Sequence, residues 1–280
     1  MRFGSLKDKV ALVTGGAKGI GKGLARACLQ EGARVIITNL HEDQGRATQK
    51  ELGDLGRIRS EPCDSTERDQ VESLVNDIMQ EEGSLDLVFS NAGAGDQHRV
   101  LSAQPEEIDR IFSTNFRSAV NLAQCCVPRM LEQGSGGHLM FTGSEHSVSL
   151  PKGNETLGFS FYGATKHAML IMAEWLRNDL LDTEVSVSVL MPGPVLTESV
   201  INTFEMLKRE PDNPDLRAIF SKEVEGLLRE RAITTDQCAA IALKGMRSGL
   251  FYIPTQPHIF DDIESRFGEL KASFEALNLK

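Results

Sequence analysis

Short runs of β-branched and apolar residues alternate along this chain with longer stretches whose apolar positions recur every three or four residues. Residues 9–14, 34–38, 56–61, 85–90, 137–142, 184–190 and 250–253 read as strands. Residues 20–31, 43–52, 67–82, 105–131 and 161–181 carry helical periodicity, the fourth of these opened by Pro105. Such alternation predicts an α/β fold, a mostly parallel sheet with helices on both faces. No linker, low-complexity segment or internal repeat interrupts it, so residues 1–280 are expected to form a single domain. Two segments break the rhythm. Residues 151–160 form a polar, glycine-bearing insertion, and residues 195–229 form a long charged segment holding Pro211 and Pro214. Both are expected at the carboxyl edge of the sheet, where ligands bind in open α/β folds, and residues 254–280 make a C-terminal extension.

Composition narrows the class. Apolar residues make up 40% and charged residues 25%, ordinary for a chain able to bury a sizeable core. The net charge of −10 argues against binding a phosphate backbone, and no apolar run approaches the roughly 18 residues a bilayer span needs. The chain enters a strand almost at once, leaving no room for a signal peptide, so a cytoplasmic protein is expected. The cysteines at 28, 63, 125, 126 and 238 lack a Cys-x-x-Cys spacing and read as reduced thiols, and the six histidines show no metal-ligand spacing.

The chemistry is concentrated in two places. Thr14-Gly15-Gly16-Ala17-Lys18-Gly19-Ile20-Gly21 follows the first strand and opens the first helix. Glycines allow a tight turn and close approach to a pyrophosphate, whose charge is favoured at a helix N-terminus. Tyr162 and Lys166 lie four residues apart, about one helical turn, and so share a face. A neighbouring cation favours phenolate, so the tyrosine pKa is expected to fall from about 10 toward neutrality.

These motifs, with Asn91-Ala92-Gly93 after the fourth strand and Pro192-Gly193 followed by Val195 and Thr197 after the sixth, resemble those of the classical short-chain dehydrogenase/reductase family. The resemblance covers residues 6–197. It implies a Rossmann-type, doubly wound, seven-stranded sheet and an NAD(P)-dependent oxidoreductase interconverting a secondary alcohol and a ketone. It implies Tyr162 as acid/base, Lys166 as its partner and ribose holder, and Asn115 as anchor of a water behind the lysine. Cofactor contacts carry over to Thr14, Gly15, Lys18, Gly19, Ile20 and Gly21, to Asn39 and Asp64, and to Asn91, Ala92 and Gly93. Tyr162, Lys166, Pro192, Gly193, Val195 and Thr197 complete the set. The plainer alternatives are a cap of the following helix for Asp64 and an amide satisfying nearby backbone for Asn115.

The position ending the second strand selects the cofactor, because a carboxylate there repels a 2′-phosphate. Here it is the neutral Asn39, and Lys18 in the glycine turn offers a charge-assisted contact, so NADP(H) is favoured over NAD(H). Ser144, just beyond the fifth strand, is favoured as the serine that polarises the substrate oxygen. The family's shorter spacing to the tyrosine would select Ser149, with Ser147 third; the insertion at 151–160 accounts for the longer gap. His146 reads either as a second polar contact or as a plain loop histidine.

Residues 94–99, 146–160 and 195–220 are expected to wall the substrate pocket, with Leu150, Leu157, Phe159, Val200, Phe204, Met206 and Leu207 supplying apolar surface. A medium-sized, aromatic or alicyclic substrate follows. The tail after Phe251 resembles family members acting on aryl or terpenoid alcohols, including lignin-type Cα-dehydrogenases. Apolar residues beyond one stripe on the helices at 105–131 and 161–181, Trp175 among them, predict a homodimer or homotetramer. The expected partner is a small alcohol or ketone, with no nucleic acid and no membrane. The rival reading is a catalytically silent nucleotide-binding sensor or scaffold of the same fold.

Overall fold

The computed structural model describes residues 4–95, 97–152 and 157–279. Seven parallel strands form one sheet: β1 (Val10–Thr14), β2 (Arg34–Asn39), β3 (Ile58–Pro62), β4 (Leu87–Ser90), β5 (Gly137–Thr142), β6 (Val185–Met191) and β9 (Tyr252–Pro254). Their order is β3-β2-β1-β4-β5-β6-β9, so the chain winds outward from β1 and then restarts at β4 on its other side. Both faces are covered, which is why the central strands are apolar at nearly every position. Successive side chains alternate between the faces. Val10 and Leu12 pack with α3 (Arg68–Glu82), α5 (Ser118–Glu132) and α6 (Ser160–Asp179). Ala11 and Val13 pack with α1 (Gly19–Gln30) and α10 (Thr235–Arg247), and Leu52 at the end of α2 (Glu42–Leu52) joins them.

The long helix expected over 105–131 is divided. Gln104 and Glu107 form a capping box at the start of α4 (Pro105–Phe112), and a π-turn at Ser113–Arg117 then leads into α5. Such a turn widens the helix by one residue, and this one presents the fully buried Asn115. The segment after β6 differs from the expected loop. A short parallel pair, β7 (Val195–Leu196) and β8 (Ile233–Thr234), brackets three helices: α7 (Glu198–Arg209), α8 (Pro214–Ile219) and α9 (Lys222–Arg231). Phe204, Leu207 and Val224 are buried within this segment, and Arg217 and Glu225 form a half-buried ion pair at 2.8 Å. The C-terminal extension is helical as α11 (His258–Ala276). Cys28, Cys63, Cys126 and Cys238 are buried and Cys125 half-buried, all as free thiols. No helix among the described residues is long and apolar enough to cross a membrane.

Candidate active site

The sheet order puts the winding reversal between β1 and β4, the place where a crevice opens at the carboxyl ends of the strands. The glycine turn follows β1 there, and Asn91-Ala92-Gly93 follows β4. Thr14 ties the two together. Its hydroxyl accepts the N–H groups of Asn91 and Ala92, each at 3.0 Å, and its carbonyl accepts the Asn91 side-chain amide at 3.1 Å. Gly15 and Gly19 adopt φ of +62° and +54°, left-handed values that suit glycine. Gly21 is required by proximity, since a Cβ there would stand 2.3 Å from the Gly15 carbonyl oxygen.

A cleft of about 680 Å³ runs from this turn past the end of β5. Of the residues singled out in the sequence, Gly15, Lys18, Gly19, Ile20, Asn39, Asn91, Ala92 and Gly93 line one end of it. Ser144, Tyr162, Lys166, Pro192, Gly193 and Val195 line the rest, and Thr197 comes back against Gly19. Thr14, Gly21 and Asn115 stand behind the wall as supports. Asp64 lies away from the cleft, and it does not cap α3 either, whose N-cap residue is Glu67. Its carboxylate instead accepts the N–H and hydroxyl of Thr66 at 2.9 and 2.8 Å, a local turn.

The N-terminus of α1 already carries an anion. Glu198, the first residue of α7, places Oε2 2.8 Å from the Gly19 N–H, with Oε1 3.7 Å from the Lys22 ammonium. Burial alone would raise this carboxyl, but backbone N–H groups and Lys22 outweigh it and hold the pKa below the usual carboxylate range. The carboxylate stands in for a phosphate, so the turn fits an anionic dinucleotide. Glu198→Gln is therefore expected to tighten dinucleotide binding severalfold, measured by fluorescence titration at low salt. Unchanged or weaker binding would mean that Glu198 does not compete for the turn.

At the other end, Lys166 is buried and donates to the Thr142 carbonyl at 2.7 Å, with its ammonium 5.6 Å from the Tyr162 ring centre. Burial pushes its pKa down to about 8. The Thr142 hydroxyl in turn donates to the Asn91 side chain at 3.1 Å, so the lysine is linked through β5 to the glycine turn. Tyr162 departs from expectation. Its pKa lies above the ordinary phenol value because burial dominates; the adjacent Ser144 hydroxyl favours phenolate but only partly offsets this, and the Glu145 carboxylate opposes it. Lys166 alone does not pull this phenol toward neutrality.

Ser144 is buried at the end of β5, and its hydroxyl accepts the His146 N–H at 3.2 Å, fixing a one-turn 3₁₀ helix at Glu145–Ser147. Ser149 turns away to donate to the Glu145 carbonyl at 3.3 Å, and Ser147 accepts the Ser144 N–H at 3.1 Å. Neither lines the cleft. His146 does, its ring edge-on to Phe159 at 5.5 Å and Tyr162 at 5.7 Å. Burial first, and His167 second, lower its pKa to about 4, so it is neutral in ordinary buffers. Asn115 holds the backbone of Ala94 in both directions, at 2.8 and 3.0 Å, and donates to the Thr165 hydroxyl at 3.1 Å. The apolar wall is Leu157, Phe159, Val200, Phe220, Val224, Leu227 and Leu228. Leu150 and Met206 are exposed instead, and Phe204 and Leu207 pack inside the helical segment, Phe204 against Phe220.

Three contributors carried no signal in the sequence. Glu145 is buried beside Ser144 and meets the imidazole of His258, from the first turn of α11, at 2.8 Å. Gln256 accepts the Gly193 N–H at 2.8 Å and donates to the Pro194 carbonyl at 2.7 Å, bracing the Pro192-Gly193 turn. Each contact joins segments far apart in the chain.

The sequence pattern described as short chain dehydrogenase matches residues 9–208. The chain belongs to the short-chain dehydrogenase/reductase family. Within this oxidoreductase family, an uncharacterized oxidoreductase of Staphylococcus aureus is 30% identical over 210 residues, covering 74% of this chain and 88% of the relative. A 1-deoxy-11-beta-hydroxypentalenate dehydrogenase of Streptomyces avermitilis is 31% identical over 267 residues, covering 94% and 89%. Among solved structures, a short-chain dehydrogenase/reductase of Burkholderia phymatum in complex with NAD superimposes with a TM-score of 0.82 at 22% identity, covering 96% of each chain. LigD of Sphingobium, in its apo form, gives 0.78 at 20% identity, covering 96% of this short-chain dehydrogenase and 98% of LigD.

Proposed function

We propose that this protein interconverts a secondary alcohol and a ketone with a nicotinamide dinucleotide, NADP(H) in preference to NAD(H). The observation that carries the reading is the cluster of Ser144, Tyr162 and Lys166 on the wall of the cleft that begins at the glycine turn. When bound, the nicotinamide supplies or accepts the hydride. The chain's own groups handle the proton. Tyr162 takes the hydroxyl proton of an alcohol, or gives one to a ketone oxygen, while Ser144 hydrogen-bonds that oxygen as its charge develops. Lys166 holds the nicotinamide ribose, and while protonated its ammonium favours the phenolate over the phenol. Asn115 fixes the backbone beside the lysine, where a water completes the proton path.

Size and lining support a medium-sized apolar substrate, aromatic or alicyclic. The relative named for dehydrogenating 1-deoxy-11-beta-hydroxypentalenate supports the alicyclic choice. A panel of such alcohols and ketones, followed by the near-ultraviolet absorbance of reduced nicotinamide, tests the reading. Tight dinucleotide binding without turnover on any of them would overturn it in favour of a silent nucleotide-binding protein. A homo-oligomer is part of the proposal, supported by Ile171 and Trp175 standing exposed on α6.

The cofactor preference rests on Asn39 and Lys18, which line the same end of the cleft. The Asn39 amide donates to the His41 carbonyl at 3.1 Å and to Gln44 at 3.2 Å, so no carboxylate occupies the end of β2. Asn39→Asp is expected to shift the ratio of kcat/KM for the two cofactors toward NAD by about tenfold, roughly 1.4 kcal/mol. A wild-type enzyme that prefers NAD, with a ratio unmoved by the substitution, would remove the charge argument.

A further inference from the structure

Apart from Arg266, whose guanidinium donates to the Val148 carbonyl at 2.9 Å and meets His167, the last turns of α11 bury no side chain against the described residues. From Arg266 to Leu279 every residue is exposed, on all sides of the helix. A helical stretch this short is marginal in water on its own, and Gly268 in its middle weakens it further by about 1 kcal/mol. Its apolar residues are nevertheless ordered. Phe260, Ile263, Phe267, Leu270, Phe274 and Leu277 follow one another at alternating steps of three and four, a seam with the seven-residue period of helices that wrap around each other. Four of them stand 63%, 53%, 50% and 69% exposed at Phe267, Leu270, Phe274 and Leu277.

We propose that this seam is covered by α11 of a second copy of this chain, packed antiparallel. The period selects another helix of the same period, and α11 itself is one. Charge selects the direction. In an antiparallel pair with Phe267 against Leu270 of the other copy, Phe260 meets Leu277 and Ile263 meets Phe274, so all six seam residues are used. Glu264 then flanks Lys271 of the other copy, and the contact occurs twice by symmetry. A parallel pair would instead set Arg266 against Lys271 across the seam, like against like. The rest of the exposed surface of α11 carries Asp261, Glu269 and Glu275, an acidic excess that disfavours an anionic lipid surface as the occupant.

Arg266 meets His167, on the same side of α6 as Ile171 and Trp175, so the two surfaces adjoin there. The test therefore begins in a Trp175→Glu background, which removes association through α6 and leaves the seam residues unaltered. Sedimentation is expected to show a remaining dimer, and Phe267→Glu with Phe274→Glu to raise its dissociation constant at least a hundredfold. Because those substitutions can also melt the helix, charge reversal supplies the second arm. Glu264→Lys is expected to weaken the dimer about tenfold, as two attractions become two repulsions. Adding Lys271→Glu should restore it. A Trp175→Glu protein that is monomeric at all concentrations would overturn the proposal. So would a dimer indifferent to the seam substitutions, or a double reversal that fails to restore association. Binding of the wild type to phosphatidylcholine–phosphatidylglycerol vesicles, lost on Phe267→Glu with Phe274→Glu, would assign the seam to a membrane surface instead.

Discussion

Tyr162→Phe is expected to reduce turnover on order of 10²–10⁴-fold while leaving dinucleotide affinity unchanged. Phenylalanine keeps the ring, and with it the edge-on contact to His146 and the tilted one to Phe159, so the buried aromatic cluster survives. What is lost is the hydroxyl that, in the proposed reaction, exchanges a proton with the substrate oxygen. Burial holds the phenol above its ordinary pKa, so alcohol oxidation, which needs phenolate, should accelerate as pH rises through the alkaline range. Lys166, lowered to about 8, loses its proton in that range and should bend the profile downward. Both features should vanish from the residual activity of Tyr162→Phe. Steady-state rates across pH, beside a fluorescence titration with the dinucleotide, check both halves. A variant that retains wild-type turnover moves the proton to another group.

The second large effect is structural. Gly21→Val should abolish measurable dinucleotide binding and destabilise the protein by about 1–3 kcal/mol. A Cβ at Gly21 would stand 2.3 Å from the Gly15 carbonyl oxygen and 2.5 Å from the Asn91 amide nitrogen. The first neighbour is backbone of the phosphate-binding turn, and the second is the side chain that joins that turn to β5. Neither can yield without moving the other. Thermal unfolding and dinucleotide titration report the two losses separately. Gly53, by contrast, has helical backbone and open space where its Cβ would be, so Gly53→Ala is the control: it should leave dinucleotide binding unchanged and should not lower the unfolding temperature. Wild-type affinity in Gly21→Val would mean that the turn is softer than its packing implies.

The parts of the site legible in the chain are those whose geometry is local. The glycine turn and the Asn91-Ala92-Gly93 segment sit at strand ends, and period-two patterning locates strand ends well. Tyr162 and Lys166 share a helix face by spacing alone, and Ser144 lines the cleft because the end of β5 holds it, whatever the loop beyond does. The parts that were not legible depend on distant segments. Glu145 acquires its role from His258, more than a hundred residues later, and Glu198 reads as an ordinary helix-opening acid until Gly19 is beside it. Asp64 does not cap α3 because Thr66, two residues on, takes its carboxylate into a local turn. The expected fall in the Tyr162 pKa failed for a physical reason: proximity of a cation was counted, and the cost of burying the charged phenol was not. The segment after β6 hid its helices behind two prolines and a dense surface charge, although Phe204, Leu207, Val224, Leu227 and Leu228 keep helical spacing.

The β7–β8 pair gives that segment a property of its own. The chain departs from β7 and returns to β8 at adjacent positions, joined by the pairing of Val195 with Ile233 and Leu196 with Thr234. An excursion whose two ends are stapled side by side pays little in closure entropy for being lengthened or exchanged, since that cost grows only logarithmically with length. The sheet, the glycine turn and the Tyr162 helix lie outside the staple. An excursion transplanted between β7 and β8 would exchange the Val200, Phe220, Leu227 and Leu228 wall of the cleft while the residues of the sheet and of α6 keep their places, provided that it retains Glu198, which reaches back to Gly19.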